Sequence, residues 1–138
     1  MGSMHSESDE LPTPAKVLVV DDNLQNLELL QAYLEDLPEV TIVSATDGVE
    51  AIQKVAQERP DLVLLDIMMP KMSGFEVCKQ IKANPETRHI QVVMVTALSE
   101  TGDIERATEC GTDDYLTKPI DRKALVELVR TMLQAQTR

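Results

Sequence analysis

Three short apolar runs in this chain end in side chains that carry charge. Lys16-Val-Leu-Val-Val20 leads into Asp21 and Asp22, Leu62-Val-Leu-Leu65 into Asp66, and Tyr115-Leu116-Thr117 into Lys118 and Pro119. Runs of this kind, with helical patterns between them, predict buried parallel strands. The strand ends of an open parallel sheet lead to one crevice, where ligands bind. Three carboxylates and one ammonium would therefore share a pocket. Two unit charges about 4 Å apart interact with roughly 4 kcal/mol at an effective dielectric near 20, so the acids need a proton or a cation between them. A hard ion with oxygen ligands, Mg²⁺ or Mn²⁺, meets that need and leaves positions for phosphate oxygens.

Such a pocket suits phosphoryl transfer. The transferring group spreads charge over three oxygens, and the protein positions and neutralises it. A metal holds one oxygen, Lys118 a second, and the Thr96 hydroxyl with backbone N–H groups a third. No Ser-His or Cys-His pair offers a nucleophile, because His5 lies in the tail and His89 precedes the fourth apolar run. Asp66 is the predicted nucleophile, since Asp21 and Asp22 are better placed as metal ligands, and its product would be an acyl phosphate. Each residue also has a plain structural reading: Asp21-Asp22 as a helix N-cap pair, Asp66 as a turn residue before Pro70, Lys118 as a turn lysine. It is their joint position at strand ends that favours chemistry. Met68-Met-Pro-Lys-Met72 reads as packing and loop, since thioethers suit softer metals than carboxylates do.

The 138 residues fit one domain, and 43% hydrophobic with 27% charged residues is an ordinary globular composition. Thirteen Lys and Arg against 24 Asp and Glu give a formal net charge of −11, a poor match for nucleic acid. No apolar stretch is long enough to span a membrane, and the start has no signal-peptide core. Residues 1–14 are expected to be a disordered tail, its first five a scar of recombinant expression, and residues 15–138 one domain. Cys78 and Cys110 have no C-x-x-C spacing and read as reduced thiols of a cytoplasmic protein.

Strand and helix patterns alternate five times, which predicts an α/β sheet covered on both faces. Strands are expected at 16–20, 40–45, 62–65, 91–95 and 115–117. The first helix starts near Asn23, with Leu27, Leu30, Leu34 and Leu37 as its stripe. The second buries Val49, Ile52, Val55 and Ala56 and stops at Pro60. The third buries Phe75, Cys78 and Ile81 and stops at Asn84-Pro85. The fourth rests on Ile104, Ala107 and Cys110, with Gly111 as its C-terminal cap. The last has Asp121 as N-cap, a staple of Ile120 on Leu125, and a stripe of Leu125, Leu128, Val129 and Met132.

Leu18-Val-Val-Asp-Asp-Asn23, Leu64-Leu-Asp-Ile-Met-Met-Pro-Lys-Met-Ser-Gly74, Val93 to Ala97 and Tyr115 to Pro119, in that order, resemble the receiver domain of two-component response regulators. The likeness covers Lys16 to Leu133. The strings from Met68 to Cys78 and from Glu86 to Ile90 are further similar to receivers attached to diguanylate cyclases. The resemblance implies a doubly wound (βα)5 flavodoxin-like sandwich with strand order 2-1-3-4-5. It implies Asp66 as phosphoacceptor, Asp22 as a direct Mg²⁺ ligand, Asp21 as a ligand through water, and Met68 as donor of a backbone carbonyl to the metal. Thr96 matches the switch hydroxyl, Lys118 the phosphoryl-binding lysine, Pro119 a proline after a cis bond, and Tyr115 the aromatic whose rotamer follows activation. Met68 and Leu98 stand where some relatives carry polar residues that tune acyl-phosphate hydrolysis.

The implied protein is a signalling phosphoacceptor rather than an enzyme. A histidine kinase or histidine phosphotransfer protein would supply the phosphoryl group. The surface of the fourth helix, fifth strand and last helix would then engage an effector domain or a second copy. The chain ends without an effector, as a stand-alone receiver or a piece of a larger regulator would. An aspartate-nucleophile phosphohydrolase and an adaptor that works without phosphorylation are the alternatives. The first lacks a general acid two positions after Asp66, and the second leaves the acids unexplained. A flavodoxin-like electron carrier is disfavoured by one Phe, two Tyr and no Trp.

Overall fold

The computed structural model describes residues 15–69, 71–97, 105 and 109–135. Strands β1 (Ala15–Val20), β2 (Val40–Ala45), β3 (Leu62–Asp66), β4 (Gln91–Thr96) and β5 (Asp114–Thr117) form one sheet in the order β2-β1-β3-β4-β5. Every pairing is parallel. This is the doubly wound flavodoxin-like arrangement.

The period of two along each strand divides the core. Val17, Val19, Leu62, Leu64, Val93 and Val95 pack beneath α1 (Leu24–Leu34) and α4 (Arg122–Ala135). Leu18, Val20, Val63, Leu65, Val92 and Met94 pack beneath α2 (Gly48–Glu58) and α3 (Gly74–Ala83). All twelve are buried, which is why these strands read as unbroken apolar runs rather than alternating ones.

Polar side chains start the helices close to the carboxyl edge of the sheet. Asn23 Oδ1 accepts from Asn26 N at 3.1 Å, and Asp47 Oδ1 from Glu50 N at 2.8 Å. Asp121 Oδ2 accepts from Ala124 N at 2.9 Å, the predicted cap of the last helix. Each satisfies a helix N–H that has no partner within its own helix.

Two predicted faces shift. Helix α1 ends at Leu34, so Leu37 is buried from the following turn, where its N–H donates to Leu34 O at 2.9 Å. Helix α2 buries Gly48, Ala51 and Val55, while Val49 and Ala56 are exposed. The reason is close approach: a Cβ on Gly48 would stand 2.7 Å from Met72 Cβ and Met72 O, so α2 presents its small residues to the loop before α3. The tail, Pro70, Leu98, and Ile104 and Ala107 of the fourth predicted helix lie outside the described residues. Gly111, placed as that helix's cap, has φ +90°.

Gly74 fixes the loop after β3. Its N–H donates to Ile67 O at 2.9 Å, and a Cβ there would stand 2.3 Å from Asp66 O and 2.8 Å from Ile67 Cα. Both obstacles are backbone, so a side chain has nowhere to go without displacing the end of β3. Gly74→Ala should lower the unfolding free energy by about 3 kcal/mol, the upper range for overpacking. Urea denaturation checks this, and a loss below about 0.5 kcal/mol, ordinary for a neutral surface change, would show that the loop yields easily.

Candidate functional site

Strand register brings the predicted acids together. Val20 on β1 pairs with Leu65 on β3, so the next residues, Asp21 and Asp66, are neighbours at the carboxyl edge. Asp21 N extends the ladder by donating to Ala45 O at 3.2 Å. Asp21 has the parity of Val19, and Asp66 that of Leu64, so both side chains leave the sheet on the face of α1 and α4. Asp22 has the opposite parity and is exposed. Carboxylate oxygens of Asp21, Asp22 and Asp66 nonetheless lie within 4.8 Å of one another.

Lys118 arrives from β5. Thr117 pairs with Thr96, and Lys118 N donates to Thr96 O at 2.7 Å, which carries the lysine just past the end of β4. Its Nζ stands 3.5 Å from Asp21 Oδ2 and 3.6 Å from Asp66 Oδ1. These distances make ion pairs, but they exceed a good N–H···O hydrogen bond. Asp21 Oδ2 is buried and, among the described residues, accepts no hydrogen bond. Asp21 Oδ1 accepts from Asn23 N at 2.9 Å, and Asp66 Oδ1 from Met68 N at 3.4 Å.

Burial pushes the Asp66 carboxyl up to about 6, and the Asp21 charge adds to the rise, while Lys118 and the Met68 N–H oppose it. An all-oxygen donor set, a buried carboxylate oxygen lacking a hydrogen bond and an excess of negative charge fit a hard divalent cation.

The other predicted residues fall around this centre. Thr96 is buried at the end of β4, and the Lys118–Pro119 peptide is cis. Met68 is 64% exposed, and its backbone N–H is what reaches Asp66. Tyr115 is 40% exposed on β5, opposite Met94. Two contributors have no site role in the sequence pattern. Gly74 opens α3, and nothing in its spacing marks the close approach of its backbone to the Asp66 carbonyl. Leu29, Leu30, Tyr33 and Ile120 line a cavity of about 470 Å³ that Asp21, Lys118 and Pro119 also border. The available signal is Leu29, an apolar residue standing off the predicted α1 stripe, and it proves to be exposed.

The raised Asp66 value has a stability consequence. Below the ordinary value of 3.8 the carboxyl is neutral in both folded and unfolded chains, and above about 6 it is ionised in both. Between them the folded chain binds the proton more tightly, so rising pH removes stability. The full span corresponds to about 3 kcal/mol. In metal-free buffer, Asp66→Asn should therefore gain up to about 3 kcal/mol over the parent near pH 8. Urea titrations across pH check the sign: the gain should vanish below about pH 4, and a pH-independent difference would contradict it.

Comparison with known proteins agrees with this geometry. The family model for the response regulator receiver domain matches residues 17–130. The chain is similar to the response regulator PleD of Caulobacter vibrioides, 47% identical over 119 residues, covering 86% of this chain but 26% of PleD. It is 38% identical over 120 residues to the polar-differentiation response regulator DivK of Brucella anthropi, covering 87% of this chain and 97% of DivK. Among solved structures, the signal receiver domain of a histidine kinase from Syntrophus aciditrophicus superposes with a TM-score of 0.84 at 34% identity, covering 90% of this chain and 93% of that one. No helix among the described residues is long and apolar enough to cross a membrane. With its parallel sheet ending in clustered acids and a facing lysine, the chain belongs to the response regulator receiver domain family of two-component signalling.

Proposed function

We propose that Asp66 accepts a phosphoryl group from a phosphohistidine on a histidine kinase or phosphotransfer protein, in a Mg²⁺-dependent step. The observation that carries this reading is Lys118 Nζ lying between two buried carboxylates, 3.5 Å from Asp21 and 3.6 Å from Asp66. Near neutral pH Asp66 is mostly ionised, given its value of about 6, and so is ready to attack phosphorus as the bond to the histidine nitrogen breaks. Lys118 neutralises charge on the phosphoryl oxygens from one side. Asp21, Asp22 and Asp66, with the Met68 carbonyl, would hold Mg²⁺, which when bound supplies the positive charge that one lysine cannot.

The cavity between α1 and Ile120 opens on the same Asp21 and Lys118. Its Leu29, Leu30 and Tyr33 walls suit an apolar helix face of the donor protein, placed so that its phosphohistidine reaches Asp66. After transfer, the added charge would draw the Thr96 hydroxyl inward and let Tyr115 follow, changing the surface of β5, α4 and the fourth predicted helix. Shifting a two-state surface from 1:99 to 99:1 takes about 5.5 kcal/mol, within reach of a buried dianion with several charge-assisted bonds. That surface would meet an effector or a second copy. The chain spans 26% of PleD's length, so an output module is part of the proposal only in that general sense.

Acetyl phosphate with Mg²⁺ should add one phosphoryl group to the chain, labile to base and hydroxylamine, as read by intact mass. Asp66→Asn should show none, and equal labelling of that variant would remove the assignment. The apolar Met68 side chain, two residues beyond Asp66, should limit attacking water. Met68→Asn is accordingly expected to shorten the acyl-phosphate lifetime severalfold, and an unchanged or longer decay would count against that role.

A further inference from the structure

Cys78 and Cys110 stand outside the carboxylate cluster, yet the fold brings them together across 32 positions of sequence. Cys78 lies on α3 and is fully buried, and its Sγ–H donates to Cys110 O at 3.5 Å. Bond lengths within one residue then put Cys110 Cα within about 6 Å of that sulfur. Adding the Cα–Sγ span of Cys78 bounds the two Cα atoms at about 9 Å apart, so a disulfide, which needs about 4.4–6.8 Å, asks for a movement of no more than a few ångströms. The approach is held by packing. Gly111, next in the chain, has φ +90°, and a Cβ there would stand 3.2 Å from Lys82 Cγ on the same helix.

The two thiols differ in access. Burial pushes the Cys78 thiol up to about 12, with neighbouring Cys110 adding to the rise. Cys110 is half-buried and lines a cavity of about 230 Å³ with Ser73, Lys79 and Glu109, which admits small oxidants from solvent. Neither cysteine is in a disulfide.

We propose that Cys78 and Cys110 form a reversible intrachain disulfide under peroxide, stapling the chain ahead of β5 to α3. The Cys110 sulfur attacks hydrogen peroxide, the O–O bond breaks, and a sulfenic acid and one water result. The Cys78 sulfur then displaces that sulfenic oxygen, which leaves with the Cys78 proton as a second water. Two electrons pass from the thiols to the peroxide, and a dithiol reductant reverses the bridge. The second step is the slow one, because so little of Cys78 is thiolate. The bridge itself is independent of phosphoryl transfer. Its consequence for signalling rests on the proposed function: the stapled segment lies between β4 and β5, where the switch would move, and tying it to α3 opposes that movement.

The full chain, reduced and then treated with hydrogen peroxide, is alkylated and digested without reductant. A peptide pair joined through Cys78 and Cys110, two hydrogens lighter than its parts and released by dithiothreitol, is expected from monomeric protein. Cys110→Ser, a change at a half-buried position, should abolish it. Conversion of Cys110 to sulfinic acid with no joined pair, or disulfides only between chains, would overturn the proposal. Acetyl phosphate labelling of Asp66 is read on the same protein before oxidation, so a failed phosphoacceptor and a failed bridge give different results.

Discussion

The placement of Asp21 and Asp66 sets the terms for the rest of the molecule. Both carboxylates are buried at the carboxyl edge of the sheet, a third, Asp22, stands within 4.8 Å, and Lys118 is the ammonium that faces them. Removing a carboxylate from water costs several kcal/mol unless partners replace its hydration. Here the replacement is incomplete: Asp21 Oδ2 accepts no hydrogen bond among the described residues, and Asp66 is raised to about 6. Such an arrangement weakens the fold and prepares it for positive charge. A hydrophobic substitute would make a steadier sheet, so the acids are better understood as serving a reaction than as serving stability.

What prevents the cluster from relaxing is the packing beneath it. β1, β3 and β4 are covered on both faces, and their register ties Val20 to Leu65 and Asp66 to Val95. A slip of one residue along β3 would turn Asp66 to the opposite face and move a row of leucine and valine side chains out of place. Gly74 closes the remaining escape, since its backbone lies directly over the Asp66 carbonyl and anchors the loop through Ile67 O. Hydrophobic contact on two faces thus enforces an electrostatic conflict on one edge.

Much of this was legible in the residues themselves. Apolar runs ending in Asp or Lys located the strands to within one residue at each end, and Asp121 marked the start of the last helix by capping chemistry, whereas the cap that Asn23 supplies to α1 emerges from the structure. Parallel pairing then gathered the acids without knowledge of side-chain positions. Two kinds of information were missing from the pattern. Apolar periodicity selected Val49 and Ala56 on α2, whereas the contact with Met72 demands a residue without a side chain, which Gly48 provides. Adjacent Asp21 and Asp22 were equivalent as letters. Only the sheet's division into two core faces makes Asp21 the buried partner of Asp66 and leaves Asp22 exposed.

The charges are also distributed unequally between firm and pliant elements. Asp21 and Asp66 are carried by central strands whose apolar residues are buried, whereas Lys118 follows β5, an edge strand with Asp114, Tyr115 and Thr117 exposed. Segments with few buried contacts open at lower free energy than the core around them. A change of charge at Asp66 therefore meets little resistance in the direction of β5 and much in the direction of β1 and β3. Under the proposed function, this gradient of packing decides where a phosphoryl group is felt. The lysine is drawn to the new oxygens, Lys118 N is bonded to Thr96 O, and the displacement passes along the exposed edge that carries Tyr115. The direction of signalling follows from which of the opposed charges the core holds still.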